Sequence, residues 1–307
     1  KPQYQRKKEG SMTIGFIGAG KVGCSLGKYF SQNGLSLSGY YSRSLQSAQE
    51  AAQFTQSKCF STIQEVLQNS TLIFCTVPDG SIHNLFHDIH PDCFQDTYLV
   101  HCSGALSSQV FAHLAPHCAG TASLHPICAV NHRFTGYKAL SQACFTVEGS
   151  CSQLLSQIIA QCGNPVETIS SEKKTIYHGA AVMASNLVVG LYHTAITLLQ
   201  HCNLHQDFAQ KALAPLFLGN VHNILEYGCT QALTGPVERG DATTVQHHLE
   251  ALTGREAEIY RLLSLQLVEL AQEKNPQRDY SGICQALQTE LNHHAEPSAN
   301  TGNRTNS

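Results

Sequence analysis

The chain has 307 residues, a formal net charge of −3 and only 13 % charged side chains. That length accommodates two domains of ordinary size, each able to bury a core. The weak acidic balance argues against nucleic acid or an anionic membrane surface as the main partner, and no uninterrupted apolar run reaches the roughly 18 residues of a membrane-spanning helix.

Residues 1–11 are polar, carry Arg6, Lys7 and Lys8, and lack an apolar signal-peptide core. They read as a disordered leader or a cloning remnant, the latter suggested by the Gly10-Ser11-Met12 junction. Folding is expected to begin with Thr13-Ile14-Gly15-Phe16-Ile17, a β-type run that ends in Gly18-Ala19-Gly20-Lys21-Val22-Gly23. The spacing is that of a dinucleotide fingerprint. Gly18 permits the tight turn, Gly20 lets the backbone approach a pyrophosphate, and Gly23 lets the next helix pack close to the strand. The phosphates would sit on the N–H groups at that helix's positive end. The alternative is a glycine-lined turn with no ligand.

A second strand is predicted over Ser36 to Tyr41 and a helix over Ser47 to Phe54. A helix over Ile63 to Gln68 and an apolar strand over Thr71 to Val77 follow, stopped by Pro78 and turned by Asp79-Gly80. Apolar residues at helical spacing from Ile82 to Ile89 predict another helix. Strands are predicted at Tyr98 to Cys102, Thr121 to Leu124, Ala143 to Val147 and Val166 to Ile169, the last two bracketing a helix over Ser152 to Cys162. This alternation predicts an α/β Rossmann-like domain with a mostly parallel sheet over residues 12–171.

After Glu172 the texture changes to an all-α domain over residues 172–291. A long helix is predicted from Lys173 to Gln200, with others over Phe208 to Tyr227, Thr243 to Leu252 and Glu256 to Gln272. Residues 292–307 are rich in Pro, Ser, Asn, Thr and Gly and are expected to be disordered. The 13 cysteines are scattered without a CxxC spacing, as befits small buried hydrophobes in a reducing cytoplasm. The 17 histidines show no zinc-type i,i+4 pair at His247-His248 or His293-His294, and no metal site is expected.

Nucleotide choice is read after the second strand, where Ser42-Arg43-Ser44 stands and no carboxylate is available for a ribose 2′-hydroxyl. A guanidinium flanked by hydroxyls suits a 2′-phosphate, so NADP(H) is the expected cofactor. The alternative is that Arg43 is a solvated loop residue. Val77 and Pro78, at the end of the fourth strand, complete the expected cofactor site.

Four stretches offer groups for a substrate. Ser103, just past a strand end, and the N–H groups after it suit a carboxylate or the nicotinamide, against the alternative of a strand-ending turn. His125, in Ser123-Leu124-His125-Pro126, titrates near neutrality and suits proton transfer, against a structural role. His178 and Asn186 lie eight residues apart on the long helix, so they project to similar sides, with His193 seven residues further. A buried amide at Asn186 would need a partner, and a substrate carbonyl is one. Finally, Arg239 could clamp a carboxylate beside Asp241, unless Asp241 simply caps a helix through Thr244.

Together these stretches resemble a group of two-domain bacterial proteins, a Rossmann-like domain followed by a helical domain long of unknown function. The resemblance spans about Met12 to Asn292. It rests on Gly18 to Gly23, Thr76-Val77-Pro78-Asp79, His101 to Leu106, Ser123 to Pro126, Tyr177-His178, Ala184-Ser185-Asn186 and Leu233 to Asp241. The group is similar to the 6-phosphogluconate dehydrogenase-like reductases, and some members look like an alternative class of ketopantoate reductase. The resemblance thus implies reduction of a small 2-oxo acid by NADPH, with His178 or His125 as proton donor, Asn186 orienting the carbonyl, and Ser103 or Arg239 holding the carboxylate. Apolar faces on several of the predicted C-terminal helices fit a homodimer, or else the core of that domain. Many relatives place a catalytic lysine four residues before the helix asparagine; here that position is Val182, so this lysine chemistry is not expected from the helix. The His-Pro dipeptide resembles that of prephenate dehydrogenases. Prephenate- or pyrroline-carboxylate-type dehydrogenation, or a non-enzymatic NADP-responsive binding protein, are the alternatives.

Overall fold

The apolar run before the glycines forms β1 (Ile14–Ile17), buried at all four positions, as a strand covered on both faces of a parallel sheet must be. The computed structural model describes residues 12–288; the expected leader (1–11) and tail (292–307) lie outside the described residues. After β1 the chain runs through α1 (Lys21–Gln32), β2 (Leu37–Tyr41), α2 (Leu45–Thr55), β3 (Lys58–Cys59), α3 (Ile63–Asn69) and β4 (Leu72–Cys75). It continues through α4 (Asp79–Ile82), β5 (Tyr98–His101), β6 (Gly120–Pro126), α5 (Tyr137–Leu140), β7 (Phe145–Gly149), α6 (Ser152–Gln161) and β8 (Val166–Thr168).

These strands form one eight-stranded sheet in the order β3-β2-β1-β4-β5-β6-β7-β8. Every pairing is parallel except β6 with β7, so the α/β architecture with a mostly parallel sheet is as expected. Strand order reverses between β1 and β4, and a crevice for ligands opens beyond their carboxyl ends. The period of two divides side chains between two cores. Phe16, Phe74 and Val100 pack on one face with Phe30, Tyr40 and Phe145. Ile17, Ile73 and Leu99 pack on the other with Phe94 and Phe111.

Two predicted helices come out differently. Of the 82–89 region only Ile82, the last residue of α4, is helical; beyond it Leu85, His87 and Ile89 donate to Ile82, Asn84 and Phe86, a chain of tight three-residue turns that mimics helical spacing. The long helix is two: α7 (Lys174–Met183) and α8 (Asn186–His201). Between them the Ser185 hydroxyl donates to the Ala181 carbonyl at 2.6 Å and competes for the backbone acceptor.

The stretch 171–201 is long and apolar enough to cross a membrane, with a mean hydropathy of 1.5, against the expectation that no such segment exists. Counting only unbroken apolar residues missed it, because isolated Ser, Asn and His interrupt the run while Asp and Glu are absent from Lys173 to His201. By length and composition alone this is a weak indicator, and α7 is tied to the sheet by a buried lysine described below.

By its contacts the chain divides after Leu187, whereas composition put the change near Ser171. The second unit holds most of α8, then α9 (Gln206–Ala232), α10 (Pro236–Arg239), α11 (Ala242–Ala251), α12 (Gly254–Lys274) and the unforeseen α13 (Ser281–Gln288). Its core joins Val237, Val245, Leu249, Val268, Tyr280 and Ile283. By contrast, α9 buries only Ala209 and Ala232, leaving Leu216, Leu218 and Leu225 exposed. All thirteen cysteines are free thiols.

Candidate functional site

The glycine loop is held by its neighbours. Gly18 sits at φ +112°, a conformation that strongly favours glycine, and a Cβ there would come 2.6 Å from the Thr76 carbonyl oxygen. Thr76 locks the turn by donating from Oγ1 to the Gly18 carbonyl at 2.8 Å, while Gly18 N–H donates to Tyr41 O at 2.8 Å. A Cβ on Gly23 would strike Thr76 Oγ1 and the Gly18 carbonyl, so the helix packs close only because glycine stands there. Around Gly20, in contrast, a Cβ would meet nothing within 4 Å.

These three environments match the turn, approach and packing roles expected from the spacing. Gly20 caps α1 without any side chain, and no acidic residue lies in the first turn, so that end is suited to a pyrophosphate.

A cleft of about 540 Å³ lies against this loop, lined by Gly18, Ala19, Gly20, Ser42, Arg43, Val77 and Pro78 among others. Arg43 is exposed and has no ion-pair partner among the described residues, as a 2′-phosphate ligand should be. Lys21, Val22 and Gly23 stand behind the loop in the first turn of α1, outside the lining. Ser44 is also outside it: its hydroxyl caps α2 by accepting from Ser47 N–H at 3.2 Å. The residues present therefore fit a dinucleotide phosphate, with Ser42 and Arg43 rather than Ser44 facing the cleft.

Beside the cleft, Asp79 joins it to the strand ends. Ser103 Oγ donates to Asp79 Oδ2 at 2.6 Å and accepts from Ala105 N–H at 3.1 Å and Leu106 N–H at 3.0 Å. Its own N–H donates to His101 Nδ1 at 3.2 Å, and its carbonyl accepts from Lys174 Nζ at 2.9 Å. Ser103 is thus a buried hub with its hydroxyl fully used. The expected role as a carboxylate holder does not suit it, because the hydroxyl proton and the N–H groups after it are already committed.

Lys174 was not singled out in the sequence, where it follows Lys173 at a helix start. It is 2 % exposed, and Nζ also donates to Ser123 Oγ at 2.7 Å. Burial lowers its pKa, opposed by the charge of Glu148. No lysine stands at Val182, and it is Lys174 that forms the site's floor, from the start of α7. Lys174, Tyr177 and His178 fall at i, i+3 and i+4 on one helical face, a signal that the sequence did carry.

Above that floor the two candidate histidines come together. Their rings are 6.3 Å apart, and both press on Gly104: a Cβ there would meet His178 Nδ1 at 2.6 Å and His125 Nε2 at 2.9 Å. His125 Nδ1 lies 2.6 Å from the Tyr177 hydroxyl. Burial, then the Lys174 charge, push His125 down to about 4, so its ring is neutral at physiological pH. His178 Nδ1 is buried without a partner.

Asn186 is not brought to this face as a buried amide. The break after Met183 makes it the first residue of α8, exposed, with Oδ1 accepting from Ser185 Oγ at 3.2 Å. In the second unit, Asp241 caps α11, with Oδ1 accepting from Thr244 N–H at 3.0 Å and Oδ2 from Thr244 Oγ1 at 2.7 Å. That is the capping alternative to a substrate role. Arg239 is exposed at the end of α10.

Fold and cleft together define a Rossmann-like nucleotide-binding domain followed by a helical domain. Two family models match accordingly: a Rossmann-like domain over residues 2–126, and the domain of unknown function DUF2520 over residues 143–267. A solved protein of Thermotoga maritima is similar, with 28 % identity and a TM-score of 0.68, covering 85 % of this chain and 99 % of its own. A provisionally named NADP oxidoreductase of Bacteroides fragilis shares 25 % identity, with a TM-score of 0.63 over 84 % of this chain and 98 % of its own. Pyrroline carboxylate reductase of Plasmodium falciparum, solved with NADP bound, shares the fold at 14 % identity, with a TM-score of 0.55 over 89 % of this chain and 98 % of its own. No curated protein matches the sequence.

Proposed function

We propose that the protein is an NADPH-dependent reductase of a small 2-oxo acid, most like 2-dehydropantoate. The observation that carries this reading is the pair His125 and His178, converging over Gly104 and linked to the nucleotide cleft by the Ser103–Asp79 hydrogen bond. NADPH, when bound, supplies a hydride. The glycine loop and the first turn of α1 would hold the pyrophosphate, and Arg43 with Ser42 the 2′-phosphate. His125, neutral in the folded protein, would hydrogen-bond the carbonyl oxygen as negative charge develops there. His178 would supply the proton.

The exposed Leu216, Leu218 and Leu225 on α9 support a homodimer, because water would otherwise face an unusually apolar helix. Light scattering of the purified protein tests this; a monomer at micromolar concentration refutes it. For the activity, NADPH oxidation is followed with ketopantoate, prephenate and pyrroline-5-carboxylate in parallel. Turnover is expected with ketopantoate. Folded protein that binds NADPH but turns over none of the panel would instead favour a non-enzymatic NADP-responsive protein.

A further inference from the structure

The hydrogen bond between the Tyr177 hydroxyl and His125 Nδ1 has no part in binding a nucleotide, yet it controls which nitrogen of that imidazole faces the site. Resting on the reductase reading, we propose that Tyr177 is a positioning residue that holds the His125 ring with its proton on Nε2, aimed over the Gly104 turn at the oxygen being reduced.

The geometry fixes the bond, and the acidity of its two partners assigns its direction. The two rings meet edge-on, with an interplanar angle of 87° and centroids 5.6 Å apart, and the hydroxyl reaches Nδ1 at 2.6 Å. A phenol O–H is a stronger acid than a neutral imidazole N–H, and an imidazole nitrogen a stronger base than a phenol oxygen, so the Tyr177 proton is donated to Nδ1. A neutral imidazole that accepts at Nδ1 carries its proton on Nε2. Nε2 makes no hydrogen bond among the described residues and stands 2.9 Å from the position of a Gly104 Cβ, so it is the nitrogen open to a ligand.

The titratable groups facing the ring are Lys174, His178, His101 and Asp79. Lys174 Nζ also lies 5.7 Å from the centre of the Tyr177 ring. Its ammonium disfavours a second proton on His125, so the ring acts as a neutral donor of one fixed hydrogen bond. This gives Lys174 a place in the site without contact to substrate, and it separates the roles of the two histidines.

The test uses protein labelled with ¹⁵N in histidine and long-range ¹H–¹⁵N correlation at neutral pH, with His125 assigned by the loss of its signals in His125→Asn. Wild type should show a single tautomer, with an unprotonated Nδ1 and a protonated Nε2. In Tyr177→Phe, folded by circular dichroism, the tautomers should mix, and kcat should fall about 10- to 100-fold with the KM for NADPH unchanged. A wild-type ring protonated on Nδ1, or a Tyr177→Phe protein with the wild-type tautomer, overturns the assignment. The spectra need no substrate. A correct tautomer in a protein that turns over nothing would therefore refute the reductase reading alone.

Discussion

Acidification should destabilise the first unit through two buried histidines. His101 is fully buried and His125 partly so, and burial pushes each from 6.5 down to about 4. Because the folded value lies below the unfolded one, the unfolded chain takes up the proton first. No penalty exists above about pH 6.5, and stability falls as the pH drops from there to about 4. The full separation corresponds to about 3.4 kcal/mol per histidine, of which about 2 kcal/mol is lost by pH 5. Set against a usual total of roughly 5–15 kcal/mol, two such groups are decisive.

Urea unfolding followed by circular dichroism between pH 7.5 and 5.0 measures this loss, with His125→Asn as the comparison. The variant should lose about 2 kcal/mol less than wild type across that range, since one of the two titrating rings is gone. Carboxylates that titrate in the same window cancel in the difference. Parallel stability curves for the two proteins would show that His125 is not held neutral by the fold, and the role given to its ring would fail with that result.

Removing the guanidinium in Arg43→Ala should raise the KM for NADPH by about 10- to 100-fold and leave that for NADH nearly unchanged, as expected for the loss of a charge-assisted phosphate contact. Equal effects on both coenzymes would return Arg43 to a solvated loop residue. Gly104→Ala should displace both imidazoles, lowering kcat by about 10-fold or more while cofactor binding, measured by quenching or calorimetry, is retained. Lys174→Met deprives the Ser103 carbonyl and Ser123 hydroxyl of their ammonium donor. The expected loss is about 2–4 kcal/mol of stability, read from denaturation midpoints; an unchanged midpoint would show that the buried charge costs as much as its hydrogen bonds return.

Local sequence was sufficient wherever the physics is local. The alternation that sends Phe16 and Phe74 to one core and Ile17 and Ile73 to the other is a property of the strand itself. The three glycines each stand where their spacing requires, because the turn, the open approach and the close packing all lie within a few residues of chain. Ser42 and Arg43 line the cleft for the same reason, since they follow directly on β2. The 82–89 turns and the α7–α8 break were not, since three-residue turns repeat almost as a helix does, and a single serine decides whether an apolar run continues.

What only the tertiary structure decided is the partnership of polar atoms. Ser103 looked like a ligand group until Asp79 and Lys174, distant in the chain, were seen to occupy its hydroxyl and carbonyl, with His101 two residues away taking its N–H. Asn186 looked buried because a continuous helix would have made it so. Lys174 and Lys173 are indistinguishable as letters, yet one is exposed and the other is buried beneath two histidines. A sequence specifies which groups can hydrogen-bond. Which of them remain free for a substrate depends on contacts across β5, β6 and α7, and those exist only once the chain has folded.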